Sequence, residues 1–246
     1  ELALSIQKQV SLLFKKQNMK RKNLNVLEKV KHKSPPIKNI NIKNIYKTFK
    51  KKMLINVNKS NFAVGVSGGP DSLCLALLSK MYNSEFNNKT YNLIVDHKIR
   101  KESSKEASKV KNILKKHNID SEVLIWKGAK PKKNIQLEAR EIRYKLISDY
   151  CLKHKIDYIV TGHHQDDQIE NFFIRLFRGS GLTGLSSMDE CSNYNKNLKI
   201  IRPLLTITKQ NLKIVTKFYF KEYINDPTNE DEKFLRTRIR KYRKVF

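Results

Sequence analysis

One stretch constrains this chain more than any other: FAVGVSGGPDSLCLALLSK, from Phe62 to Lys80. An apolar run that reads as a buried strand stops at Ser67. Two glycines, a proline, an aspartate and a serine follow, and apolar residues then resume at helical spacing. A strand, a tight loop and a helix start in this order form a common phosphate-holding unit, because unpaired backbone N–H groups and the positive end of the helix dipole face the loop. The Walker form of such a loop carries a lysine after its glycines, and none stands there. Gly68 and Gly69 permit close backbone approach, Ser67 and Ser72 offer hydroxyls, and Asp71 is placed to ligate Mg²⁺ carried by phosphates. The competing reading is an ordinary strand-to-helix turn with glycine for geometry.

The pattern continues as alternating strands and helices. Tyr91–His97, Glu122–Trp126 and Asp157–His164 read as further strands. Helices are predicted from about Ser72 to Met81, along Ala107, Val110, Leu114 and His117, through Asn134–His154 with Leu137, Ile142, Leu146 and Tyr150 recurring, and across Asp166–Phe177. Such alternation predicts an α/β fold, a doubly wound parallel sheet with right-handed crossovers. Ligands in these sheets bind beyond the carboxyl ends of the strands. Those ends carry the Ser67–Ser72 loop with Pro70, then Asp96 and His97, then His163 and His164.

Lys and Arg number 51 against 23 acidic residues, a formal charge of +28 that points to a polyanionic partner such as nucleic acid. Lys, Asn and Ile are abundant throughout, so part of this charge is also what AT-rich coding would produce. Between Ala3 and Ser60 the only acidic residue is Glu28, and residues 1–60 read as a basic, low-complexity extension, disordered or partly helical. It is either an RNA-binding arm or sequence ahead of a later start at Met53. The cysteines, Cys74, Cys151 and Cys191, form no pair at CxxC spacing, which favours a reducing compartment. No run of ~18 apolar residues marks a membrane span, so the expected setting is cytoplasmic with no membrane partner.

The loop Ser67–Ser72 resembles the PP-loop superfamily of ATP pyrophosphatases, which split ATP into AMP and pyrophosphate. Further stretches resemble the tRNA(Ile)-lysidine synthase family within it: VDHKIRKESSKEASKV from Val95, NIQLEAREIRY from Asn134, TGHHQDDQIENFFIRLFRGSGLTGL from Thr161, IRPLL from Ile201 and NDPTNEDEKFLRTRIR from Asn225. Two positions depart from the family pattern, Asn171 for threonine and Thr237 for asparagine. The resemblance implies a catalytic domain over 61–225, followed at 226–246 by the start of a helical linker towards tRNA-binding domains.

It also implies a ligase that uses ATP and Mg²⁺ to join free L-lysine to C2 of the wobble cytidine in a CAU-anticodon tRNA(Ile), with a homodimer left open. Cytosine O2 first attacks the α-phosphate and pyrophosphate leaves; the lysine ε-amine then attacks C2 and AMP leaves. On this resemblance Ser67, Gly68, Gly69, Pro70, Asp71, Ser72, Asp96 and His97 bind ATP, and Arg143 stabilises the phosphate charge, with Arg140 as fallback. Asp167 and Glu170 hold the lysine and one takes its proton, while His163 contacts the nucleotide or the base. Without the resemblance, Arg143 reads as a surface ion-pair member, and Asp167, Glu170 and Asp166 as capping residues. Arg178 and the alternating Arg236, Arg238 and Arg240 are the expected RNA contacts. The alternatives are a PP-loop tRNA thiolation enzyme, for which the cysteines lack a suitable arrangement, and a catalytically idle RNA-binding fragment.

Overall fold

A computed structural model of the chain describes residues 42–100, 102–131, 135–181, 186–225 and 235–242. Six strands form one sheet: β1 (Phe62–Gly65), β2 (Thr90–Asp96), β3 (Ser121–Ile125), β4 (Tyr158–Val160), β5 (Cys191–Asn193) and β6 (Lys199–Ile201), in the order β3-β2-β1-β4-β6-β5. All neighbours are parallel except the β5–β6 pair, an antiparallel hairpin that closes one edge. The chain leaves β1 in one direction towards β2 and later returns to its other side with β4. The carboxyl ends of β1 and β4 therefore flank the crevice where ligands of such sheets sit.

Alternation along the strands feeds two cores. Val64, Ile94 and Val160 face one side and Ala63, Leu93 and Ile159 the other. On the larger side lies α2 (Pro70–Phe86), where Leu73 through Leu78 are all buried, so the helix carries almost no polar face. It ends on Asn87 in the left-handed conformation, whose N–H donates to Asn83 O. Beside it, α3 (Ser103–Lys116) buries Ala107, Val110, Ile113 and Leu114. His117 continues that face by packing on Tyr219 and Phe220, ring centroids 4.9 and 4.7 Å away. The latter two belong to α6 (Lys209–Phe220), which packs along α2. The smaller core is covered by α4 (Ile135–Lys153). Of the expected stripe, Ile142 is buried and Tyr150 packs against this core, but Leu137 stands 54% exposed, and Ile147 and Cys151 complete the buried face.

Part of the extension expected to be disordered or partly helical is a helix that joins the core. Residues 1–41 lie outside the described residues, but α1 (Ile42–Asn56) is a helix that buries Ile45, Phe49 and Met53 on one face. Phe49 meets Tyr82 edge-on at 6.2 Å, and Lys50 and Tyr46 both engage Glu85 on α2. A lysine-rich segment can join a core when its few apolar residues recur at i, i+4 and i+8, as these do. We predict that Phe49→Ala, which empties a fully buried site, lowers stability by about 3–5 kcal/mol in chemical denaturation. A change below ~1 kcal/mol would show that α1 is dispensable to the core.

Candidate active site

The loop after β1 is held by contacts that leave its helix end open. Gly68 has φ +85°, and a Cβ there would lie 2.3 Å from Val110 Cγ2 and 2.9 Å from Ile224 Cγ1. Only glycine satisfies both the conformation and the space. Its carbonyl accepts the Ile224 N–H at 2.8 Å. The helix begins at Pro70, two positions before the expected Ser72, because proline's missing N–H costs nothing in a first turn. Ser72 Oγ accepts the Ser67 amide at 3.2 Å and donates to Gly69 O at 3.1 Å. The Ser67 amide, expected among the phosphate donors, is therefore engaged within the loop. The amides of Gly69, Asp71 and Ser72 open the helix, where backbone donors have no intrahelical partner. Asp71 Oδ1 is buried without a partner among the described residues. An unmatched carboxylate oxygen beside open amides fits a phosphate group with a hard cation.

At the end of β2 the two expected residues separate in kind. Asp96 accepts the Ser103 and Ser104 hydroxyls, each at 2.6 Å, and the Lys98 amide at 3.0 Å. Burial opposes its charge, but these donors and the Lys98 ammonium outweigh it and hold the carboxyl below the usual carboxylate range. Both its oxygens help fix the entry to α3, and a carboxylate with three donors keeps one acceptor site. His97 differs: its Nδ1 is buried and without a partner. Burial, then the Arg143 charge and, more weakly, that of Arg100, push the ring down to about 4 against the pull of Asp96. Arg143, on the exposed side of α4, thus shares a neighbourhood with His97.

Beyond β4, His163 Nδ1 pairs with Thr161 Oγ1 at 2.8 Å. Burial first, then Arg140, Arg202 and Arg236, hold its ring well below the usual histidine range despite Asp167, so it is neutral near pH 7. His164 caps α5 (Gln165–Phe177) reciprocally: its Nδ1 accepts the Asp167 amide at 3.3 Å, and Asp167 Oδ2 accepts the His164 amide at 3.0 Å. Asp167 therefore does fill the capping part that residue type alone allowed. Asp166 caps a different helix, accepting the Lys209 amide of α6 at 2.7 Å.

The third partner of this cluster comes from α7 (Leu235–Tyr242), in the segment expected to lead away as a linker. It packs on α5 instead. Arg236 Nε donates to Glu170 Oε2 at 2.7 Å and its Nη2 to Asp167 Oδ1 at 3.0 Å. Arg240 donates to both oxygens of Glu170, which is 1% exposed. Burial pushes the Asp167 carboxyl up, but its contact with His164, whose amide it accepts, and the Arg236 charge bring it below its ordinary value. Two of the arginines expected on RNA thus turn inward, while Arg238 is exposed. Arg178 is exposed too, just before Gly179, which ends α5 at φ +71° with the Ser180 amide donating to Arg175 O.

Sequence reasoning placed His164 at a strand end without giving it a role, and it passed over Arg202. A capping signal, with Asp three residues after His164, was present for the former. Arg202 has no local signal: it becomes central only because the β5–β6 hairpin carries it beside His163, its Nη1 donating to Asp189 O and Ser192 Oγ.

A family model described as a PP-loop domain matches residues 38–244. Over 178 residues the sequence is 45% identical to a tRNA(Ile)-lysidine synthase of Orientia tsutsugamushi (strain Boryong), a match covering 72% of this chain and 40% of that protein. A tRNA(Ile)-lysidine synthase of Wolbachia pipientis wMel is 42% identical over 193 residues, 75% of this chain and 44% of that one. The chain thus spans less than half the length of these curated relatives. Among solved structures, the U34-tRNA thiolase NcsA from Methanococcus maripaludis with its 4Fe-4S cluster matches with a TM-score of 0.69 at 19% identity, over 83% of this chain and 72% of that one. A likeness of that degree concerns the fold.

The His97 environment gives a pH prediction. In the unfolded chain the ring takes its proton near 6.5, in the folded chain near about 4. Between those values the unfolded state binds more proton, so stability falls as pH drops through the window. His97→Gln, which cannot titrate, flattens that part of a plot of denaturation midpoint against pH. An unchanged slope would contradict a buried neutral ring.

Proposed function

Because the chain belongs to the PP-loop domain family, we propose that it splits ATP into AMP and pyrophosphate to activate a base in tRNA, and that free lysine is the acceptor. The observation that carries the second half is the carboxylate pair: Asp167 and Glu170, buried in a strongly basic chain, already hold cationic side chains. Carboxylates so placed suit an ammonium substrate.

In the first step cytosine O2 of the wobble cytidine in a CAU-anticodon tRNA(Ile) attacks the α-phosphate, and pyrophosphate leaves. The amides of Gly69, Asp71 and Ser72 hold the departing phosphates, and Arg143 faces the charge that develops. Bound Mg²⁺ would be held by Asp71 and would neutralise phosphate charge. Neutral His97 and His163 can donate or accept a hydrogen bond to nucleotide or base without adding charge.

In the second step the lysine ε-amine attacks C2, the C–O bond to AMP breaks, and Asp167 or Glu170 accepts the proton that the ammonium must lose. The guanidiniums of Arg236 and Arg240 make room for the amine and turn to RNA phosphate, alongside Arg178 and Arg238. A sulfur-transfer reading is weaker here. Cys74 and Cys151 are buried on opposite faces of the sheet, burial pushes both thiols up, Cys151 to about 12, and Cys191 stands alone on β5. Thiolate chemistry needs the reverse shift.

The test is incorporation of radiolabelled lysine into a tRNA(Ile) transcript with ATP and Mg²⁺. Transfer that disappears when the wobble cytidine becomes uridine supports the reading. Pyrophosphate release without lysine transfer would leave adenylation and reject lysine as acceptor. Absence of both signals would favour an RNA-binding fragment. Asp167→Asn and Glu170→Gln should each lower lysine transfer by roughly 10²–10⁴-fold, and near-wild-type transfer in both would remove them from the chemistry.

A further inference from the structure

His164 lies between the two halves of the site. Its ring is 1% exposed, and Nε2 is 3.5 Å from Asp71 Oδ2 on α2 and 3.5 Å from Asp167 Oδ2 on α5. Nδ1 accepts the Asp167 amide at 3.3 Å, which leaves Nε2 as the N–H of the ring. One N–H therefore lies at equal distance from two carboxylates of different helices, too far for a good hydrogen bond to either. The other oxygens of those carboxylates differ: Asp71 Oδ1 is buried without a partner, whereas Asp167 Oδ1 accepts Arg236. Such a donor has two nearly equivalent places to go, and anything that engages one carboxylate leaves it to the other.

We propose that His164 is a positioning residue linking the nucleotide and lysine sites: engagement of Asp71 by nucleotide releases the shared N–H to Asp167 and fixes the carboxylate that receives the amine. This inference rests on the assignment of Asp71 to nucleotide and of Asp167 to lysine given above. A ligand shifts such an arrangement only through different interactions with its two forms, and Asp71 supplies that difference. The effect is reciprocal, so lysine also tightens nucleotide. A purely structural cap would act only through Nδ1. The two ring nitrogens can be separated by substitution: Asn keeps an acceptor for the Asp167 amide and is a strong helix cap, but lacks the distal donor. Gln places an N–H near the Nε2 position and loses the cap.

The experiment is calorimetric titration of lysine into the full chain, with and without Mg²⁺ plus a non-hydrolysable ATP analogue. In the wild type, nucleotide should tighten lysine by roughly fivefold or more. His164→Asn should bring that ratio to about one while the melting temperature holds, and His164→Gln should keep part of it. A wild-type ratio in His164→Asn, or a ratio of one in the wild type, overturns the proposal. If His164→Asn does not fold, His164→Gln decides, and loss of the ratio there also overturns it. Wild-type protein that binds lysine under neither condition rejects the assignment of Asp167 and Glu170 to the amine, and this inference falls with it.

Discussion

Three parts of the chain meet where there is no room for a side chain. Gly68 brings the end of β1, Val110 of α3 and the segment after α6 together, with Ile224 donating its amide to the Gly68 carbonyl. Thr216 of α6, fully buried, donates to Pro70 O at 2.6 Å and ties the same loop from behind. From the other side, a Cβ on Gly162 would lie 3.2 Å from the Asp71 carbonyl carbon, so the β4 exit is pressed against the helix start. Most of these contacts use backbone groups, with Val110 and Ile224 packed on Gly68. They fix the loop, and the amides of Gly69, Asp71 and Ser72 at its helix start have no intrahelical partner, the kind of preorganised donor set that phosphate binding uses.

Charge is arranged around that frame by sign. Arg140, Arg202 and Arg236 surround neutral His163, and the acidic groups gather one turn further along α5. Carboxylates as deeply buried as Glu170 are costly unless paired, and here two arginines pair with it. The pairs are partly open, since Arg236 is 40% exposed at its side chain, so on the proposed function a substrate ammonium could replace a guanidinium without opening the core. The same helix that closes the site is therefore suited to release it.

Much of this was legible in the sequence because it was local. The apolar run into Ser67, the turn residues of the loop and the period of α3 each fit within one window, and the fold class followed from their alternation. What escaped was set by tertiary partners. Residues 42–56 look like part of a basic tail until Phe49 finds Tyr82. Asp96 reads as a residue at a strand end, and nothing local shows that Ser103 and Ser104 also donate to its oxygens. Arg236 and Arg240 read as RNA contacts because nothing within their own segment shows that Glu170, 66 and 70 positions earlier, lies opposite. His164 was hidden by its neighbour, since the adjacent His163 drew the chemical reading and the capping geometry depends on where the helix begins.

The claim at the centre is that the base is activated before lysine is needed. Exchange of labelled pyrophosphate into ATP, measured with tRNA(Ile) bearing the CAU anticodon and with no lysine added, tests it most directly. Exchange should appear under those conditions and require both the tRNA and its wobble cytidine. Exchange that instead depends on lysine and proceeds without tRNA would mean that the amino acid is the group adenylated, and would contradict the order of chemistry assigned to this site.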